Sequence, residues 1–159
     1  MTAALLVCFT MLALAAAAHA RPRPAERAQL VRVLAGSLKG TPLYGHVAEL
    51  EQAGRRHHVH PAFIAAAAGL ESAWGRLPCR GNPRNVWGLG SCDRAWHVPH
   101  FDTWADAFDY YARFVAGRWP TARTPYDLHG YCQCGAAYWG SRVAWNMRRL
   151  GFPPVVRYP

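Results

Sequence analysis

The sequence predicts a mainly α-helical fold with one small β element, and three observations carry that reading. Apolar residues recur at helical spacing in successive segments that Gly and Pro separate. Strict apolar–polar alternation, the mark of a half-buried strand, is scarce. The densest run of turn formers, residues 82–93, surrounds Trp87 with Asn85, Gly88 and Gly90 and reads as a loop with a short hairpin.

Residues 1–20 contain no Asp, Glu, Lys or Arg, are almost wholly apolar, and end in Ala18-His19-Ala20, the small-x-small pattern of a signal-peptidase site. They are expected to be a secretory signal removed after Ala20. The competing reading is an uncleaved anchor, with Arg21, Arg23 and Arg27 on its C-terminal flank.

A first helix is expected over 22–38, with Leu30, Val31, Val33 and Leu34 at helical spacing, broken by Gly40-Thr41-Pro42. A second is expected over 46–55, with Val47 and Leu50 inward, closing on Arg55-Arg56-His57-His58, where positive charge suits the helix C-terminus. His46, His57, His58 and His60 lie close in sequence, but no carboxylate completes a metal set and the group reads as surface. The third helix starts at His60-Pro61, with Pro at a position where its missing N–H costs nothing, and Gly75 can end it. Its body, Ala62 to Leu70, is apolar all round, which predicts the central core helix, with Gly69 and the alanines admitting close neighbours. Thr103 caps a fourth helix over 104–119 that turns Phe108, Tyr111, Ala112 and Val115 inward. A fifth, over 138–150, turns Val143, Met147 and Leu150 inward and stops at Gly151-Phe152-Pro153-Pro154. The expected organisation is a signal (1–20), an N-terminal helical segment packed on the domain (21–44), the domain itself (45–151) and an extended tail (152–159).

The formal net charge is +9, from 18 Lys and Arg against 9 Asp and Glu, and Lys39 is the only lysine. A basic exported protein associates with anionic polymers such as wall glycans or membrane surfaces. There is no Lys/Arg run and no nucleic-acid reader motif, so a specific nucleic-acid partner is not expected. Beyond Cys8 in the signal, the chain holds Cys79, Cys92, Cys132 and Cys134, an even set that in an exported chain implies two disulfides. Cys79–Cys92 with Cys132–Cys134 is the favoured pairing, and crossed pairings stay open. A zinc site using these thiols with His97 or His100 ranks below, because the spacings fit no standard template.

Glu71 stands out among the acids. It follows Ile64, Ala67 and Ala68 by helical intervals and so shares their face. A carboxyl group there loses water, and desolvation favours its neutral form. A neutral carboxylic acid near neutral pH is what protonation of a glycosidic oxygen requires. The bland alternative is a carboxylate paired with Arg76 or Arg80.

The letters around Glu71 add a resemblance. The segment His60-Pro61-Ala62-Phe63-Ile64-Ala65-Ala66-Ala67-Ala68-Gly69-Leu70-Glu71-Ser72-Ala73-Trp74-Gly75 resembles the lysozyme-superfamily pattern of a V-x-P helix start, an apolar run and E-S-x-W-G. Asn85-Val86-Trp87-Gly88-Leu89 resembles the N-x-[FW]-G-[IL] element that follows it in β-N-acetylglucosaminidase-type peptidoglycan hydrolases (glycoside hydrolase family 73, mannosyl-glycoprotein endo-β-N-acetylglucosaminidase-like). Phe101-Asp102-Thr103-Trp104-Ala105-Asp106-Ala107 is similar to that family's segment opening the next helix. Gly130-Tyr131-Cys132 through Tyr138 to Val143 is similar to its G-Y-A…Y-x-x-x-V ending. These blocks come in family order and span nearly the whole domain.

The resemblance implies a lysozyme-like α+β fold with a small hairpin beside the catalytic helix. It implies Glu71 as general acid, a Tyr131 facing it, a hairpin wall shaped by Asn85 and Gly88, and Trp74 and Trp87 lining or supporting a sugar cleft. Core packing is the competing role for both Trp residues. Hydrolytic members carry a second carboxylate between the Asn-x-Trp-Gly turn and the next helix. Residues 90–100 hold only Asp93 there, so Asp93, or else Asp102, is the candidate partner. The expected protein is a secreted, monomeric glycosidase acting on peptidoglycan without metal or cofactor. The alternatives are a lytic transglycosylase working with a single Glu, and a non-catalytic wall-binding module.

Overall fold

In the computed structural model, which describes residues 22–90 and 100–159, five α-helices form: α1 (Pro24–Leu38), α2 (Val47–His57), α3 (Pro61–Ser72), α4 (Trp104–Arg118) and α5 (Ala136–Arg149). They fall on the predicted segments. The local chemistry explains their ends. The Arg23 N–H donates to Glu26 Oε2 at 2.9 Å at the start of α1. At α4, Thr103 Oγ1 accepts from the Asp106 N–H at 3.1 Å, the capping bond that its sequence position implied. Helix α2 ends on His58 in the left-handed region, with φ 55°.

Helix α3 is the axis of the fold. Phe63, Ile64 and Ala65 through Ala68 have no exposed surface, so the helix is dry around its circumference, as its composition predicts. Helix α5 packs along one side of it, and Asn146 Nδ2 donates to the Ala66 carbonyl at 3.0 Å. Helix α4 brings in Phe108, Tyr111, Ala112 and Val115, and α2 packs broadly on α4. The α2–α4 junction is fixed by Asp109, which accepts from His57 Nε2 at 2.9 Å and pairs with Arg56. Helix α1 closes the far side with Leu34 and Leu38, and Arg27 makes a two-pronged pair with the buried Glu51 at 2.9 and 3.1 Å. The start of α5 abuts a 3-10 turn, Pro125–Asp127; a Cβ on Gly140 would stand 2.8 Å from Tyr126 Cα, so only glycine permits the approach.

One expectation is corrected. The histidines near the end of α2 are not uniformly surface: His60 is 8 % exposed, and its Nδ1 accepts the Ala62 N–H at 3.1 Å, capping α3. His57 is half-buried on Asp109. The tail is extended and docked. His60 N–H donates to the Val156 carbonyl at 2.7 Å, Tyr158 N–H to the His58 carbonyl at 3.1 Å, and Val156 is fully buried. Among the described residues there is no strand beyond one antiparallel bridge, Val59–Arg157. The described part of the expected hairpin, 82–90, is a run of turns. The rest of it, with Cys92 and Asp93, lies outside the described residues, as does the predicted signal. Among the described residues no helix is long and apolar enough to cross a membrane.

The buried cap has a pH consequence. Burial pushes the His60 imidazole down to about 4, below its ordinary 6.5. Between those values the unfolded chain binds a proton that the folded chain refuses, so stability falls as pH drops from 6.5 towards 4. Replacement His60→Asn, which keeps a capping oxygen, is expected to remove up to roughly 3 kcal/mol of that acid sensitivity. Urea unfolding at neutral pH and at pH near 4.5 checks it; equal acid sensitivity in both proteins would contradict the assignment.

Candidate active site

The chain leaves α3 through a tight left-handed turn. Ala73, Trp74 and Gly75 have φ of 50°, 66° and 85°, and for a tryptophan this region is sterically costly. Ser72 holds the turn closed: its hydroxyl donates to the Ala68 carbonyl at 2.9 Å and accepts the Gly75 N–H at 3.0 Å. The Trp74 ring folds back onto Gly69, where a Cβ would stand 2.7 Å from its ring carbons. The room at Gly69 therefore serves the helix's own Trp74 rather than a neighbouring helix. This explains why Ser, Trp and Gly follow Glu71: the first closes the turn, the second covers the helix end, the third completes the left-handed path.

Glu71 precedes this turn at the open end of α3. The residue is exposed by accessible area, yet its carboxyl is sheltered on one side, where Oε1 accepts a hydrogen bond from Trp139 Nε1 at 2.6 Å. Partial burial raises its pKa above the ordinary value, and the Trp139 bond pulls back only in part. Its place at the negative end of the α3 dipole acts in the same direction as burial. Arg76 does not neutralise it, because that guanidinium donates to the Gly40 carbonyl at 2.9 Å.

Behind Glu71 stands an aromatic wall. Trp139 lies 4.1 Å from Tyr131, centroid to centroid, and Tyr131 meets Tyr111 edge-on at 6.5 Å. The hydroxyls of Tyr131 and Tyr111 are buried, close enough to perturb each other, and without a hydrogen bond of proper geometry. Burial pushes both phenols far up, and both feel the charge of Glu71, so both stay neutral. Cys132 and Cys134, at disulfide distance, staple the turn between Tyr131 and α5. Cys79 is also disulfide-bonded; its expected partner, Cys92, lies outside the described residues.

The structure thus brings Glu71 and Tyr131 to one place, with Trp74 half-buried at the adjoining turn. It places Trp87 differently from a sugar platform: the ring is 2 % exposed, stacks on Tyr111 at 4.4 Å, and donates its N–H to the Ile64 carbonyl at 3.0 Å. Trp87 is core support. Asn85 is buried and braces its own turn, accepting from the Leu89 N–H at 3.1 Å and donating to the Leu89 carbonyl at 3.0 Å. Gly88, at φ 62°, is exposed and lies within that brace. Asp102 is exposed and lines a separate cavity of about 610 Å³ with Arg56, Asp106, Asp109 and Arg113. Asp93 lies outside the described residues. Among the described residues no cluster of His, Cys, Asp and Glu could hold a metal.

Sequence reasoning missed Trp139 as the partner of Glu71. Its signal was the helical phase, since Trp139 leads Val143, Met147 and Leu150 on the inward face of α5. Tyr111 was read as core, and its buried hydroxyl beside Tyr131 was invisible to that reading.

Two measurements probe this geometry. Gly69→Ala is expected to destabilise by about 1–3 kcal/mol through overpacking against Trp74. In a Trp74→Ala background the same change is expected to stabilise by up to about 1 kcal/mol from helix propensity. Urea unfolding of the four proteins decides it, and equal effects in both backgrounds would refute the contact. For Glu71, a folded pKa above the unfolded 4.5 means the folded state holds a proton longer, so its contribution to stability fades as pH rises through that window. Glu71→Gln is expected to raise Tm at neutral pH, with the gain vanishing below pH 4.5. No family model, curated protein or solved structure matches this chain.

Proposed function

We propose that the protein is a lysozyme-like glycosidase that cleaves the β-1,4-linked amino-sugar backbone of peptidoglycan, with Glu71 as general acid. The observation that carries this reading is the Glu71 carboxyl itself: raised in pKa by burial, oriented by the Trp139 N–H at 2.6 Å, and without a cationic partner among the described residues. An oriented acid that keeps its proton is the group a glycosidic oxygen needs as its bond to C1 breaks. Exposed aromatics next to basic side chains, such as Trp145 with Arg149 4.6 Å above its ring, suit a sugar polymer bearing carboxylates. On this reading the protein is an exported monomer, held on wall material by its basic surface.

A second reading within the same chemistry is favoured by one observation. Among the described residues no other carboxylate contributes to the ionisation of Glu71. A lytic transglycosylase needs none. Glu71 gives its proton to the leaving oxygen, the C1–O bond breaks, and the resulting carboxylate takes the proton of the same sugar's O6 hydroxyl. That oxygen then closes onto C1 to give an anhydro-muramyl end. Tyr131, neutral and unpartnered, would turn its O–H toward the carboxylate once the proton has left. For the hydrolytic route Asp93 is the remaining candidate second carboxylate.

Incubation with purified peptidoglycan, followed by mass spectrometry, separates the routes. New reducing ends identify a hydrolase, and anhydro ends a transglycosylase. Glu71→Gln is expected to lose activity by about 100-fold or more, the usual scale of a general acid. Full activity in that variant would remove Glu71 from the mechanism. Wall pelleting without products from the unaltered protein would leave a binding module.

A further inference from the structure

On the other side of the Glu71 turn lies a small polar cavity of about 200 Å³, lined by Lys39, Arg76, Arg149, Ser37, Thr41 and Trp74. Three of these are cations and none is an acid. None of the three forms a salt bridge among the described residues. Two are held in place by contacts that leave their charge unspent: Arg76 donates to the Gly40 carbonyl at 2.9 Å, and Arg149 lies over the Trp145 ring at 4.6 Å.

The cavity sits where α1, α3 and α5 end, so helix dipoles offer a rival account of the cations. Magnitudes decide against it. Each helix C-terminus contributes about half a negative charge, so three of them leave a net of about +1.5 from three full cations. We infer that this cavity is a binding site for a doubly charged tetrahedral oxyanion, a phosphate or phosphate monoester. Arginine forks match the oxygens of such a group two at a time, and Lys39 adds a point charge. A singly charged carboxylate would leave about a third of that field uncompensated. The site takes no contribution from Glu71, though it adjoins the Glu71 turn through Trp74 and shares Arg149 with the Trp145 contact.

The single lysine supplies the assay. Acetylation of Lys39 by an amine-reactive reagent is followed by mass spectrometry while the purified protein is titrated with inorganic phosphate at constant ionic strength. Saturable protection is expected, with acetate about tenfold weaker or more. Arg149→Gln and Arg76→Gln are each expected to abolish it. Arg142→Gln, also on α5 but outside the cavity, is expected to retain it. Equal protection by chloride, acetate and phosphate would overturn the inference, as would unchanged protection in Arg149→Gln. N-acetylglucosamine 6-phosphate distinguishes the sources. Tighter binding than inorganic phosphate assigns the ligand as a phosphate carried on a sugar, and equal binding assigns the free ion.

Discussion

The dryness of α3 is the constraint from which most of the structure descends. A helix with no exposed surface from Ala62 to Ala68 has to be enclosed on every side, and its alanines let the neighbours come near enough to do so. Two of those neighbours also satisfy it: Trp87 and Asn146 donate to the Ile64 and Ala66 carbonyls, each bond about 3.0 Å long. Such an axis cannot rotate without leaving buried polar groups unpaired. Whatever leaves its end therefore leaves in a fixed direction, and what leaves is Glu71, the Ser72 bracket and the folded-back Trp74.

The chain treats two sheltered carboxylates in opposite ways. Glu51, 4 % exposed, receives the Arg27 fork and lies 4.0 Å from Arg55. Among the described residues Glu71 receives one neutral indole N–H and no cation, in a protein of net charge +9. The first arrangement stabilises a charge and ties α1 to α2. The second withholds that stabilisation and keeps the acid protonated further up the pH scale.

Much of this was legible in the letters, because it follows from period and local chemistry. The helical spacing of Phe108, Tyr111, Ala112 and Val115 placed α4, Thr103 marked its cap, and the unbroken apolar run gave the core helix. What the letters did not give are facts about orientation across the fold. Trp87 stands in a turn and could line or support a cleft, and the turn presses it inward against Tyr111. His60 looked like one of a surface group, but the folded-back tail covers it. Trp139 and Glu71 are 68 residues apart, and only tertiary packing makes them partners. Gly69 could be seen as room for something, but not as room for Trp74.

The docking of residues 152–158 onto residues 58–60 has a consequence for the order of folding. The cap of α3 is finished by Phe152 and Tyr158, whose rings each lie 5.5 Å from His60, and by the Val156 carbonyl. These partners emerge from the ribosome roughly a hundred residues after the helix they complete, a contact of high sequence separation. The central helix of this domain is therefore synthesised well before the segment that seals its start. Until then its apolar start stays exposed to solvent, and to any chaperone that recognises such surface.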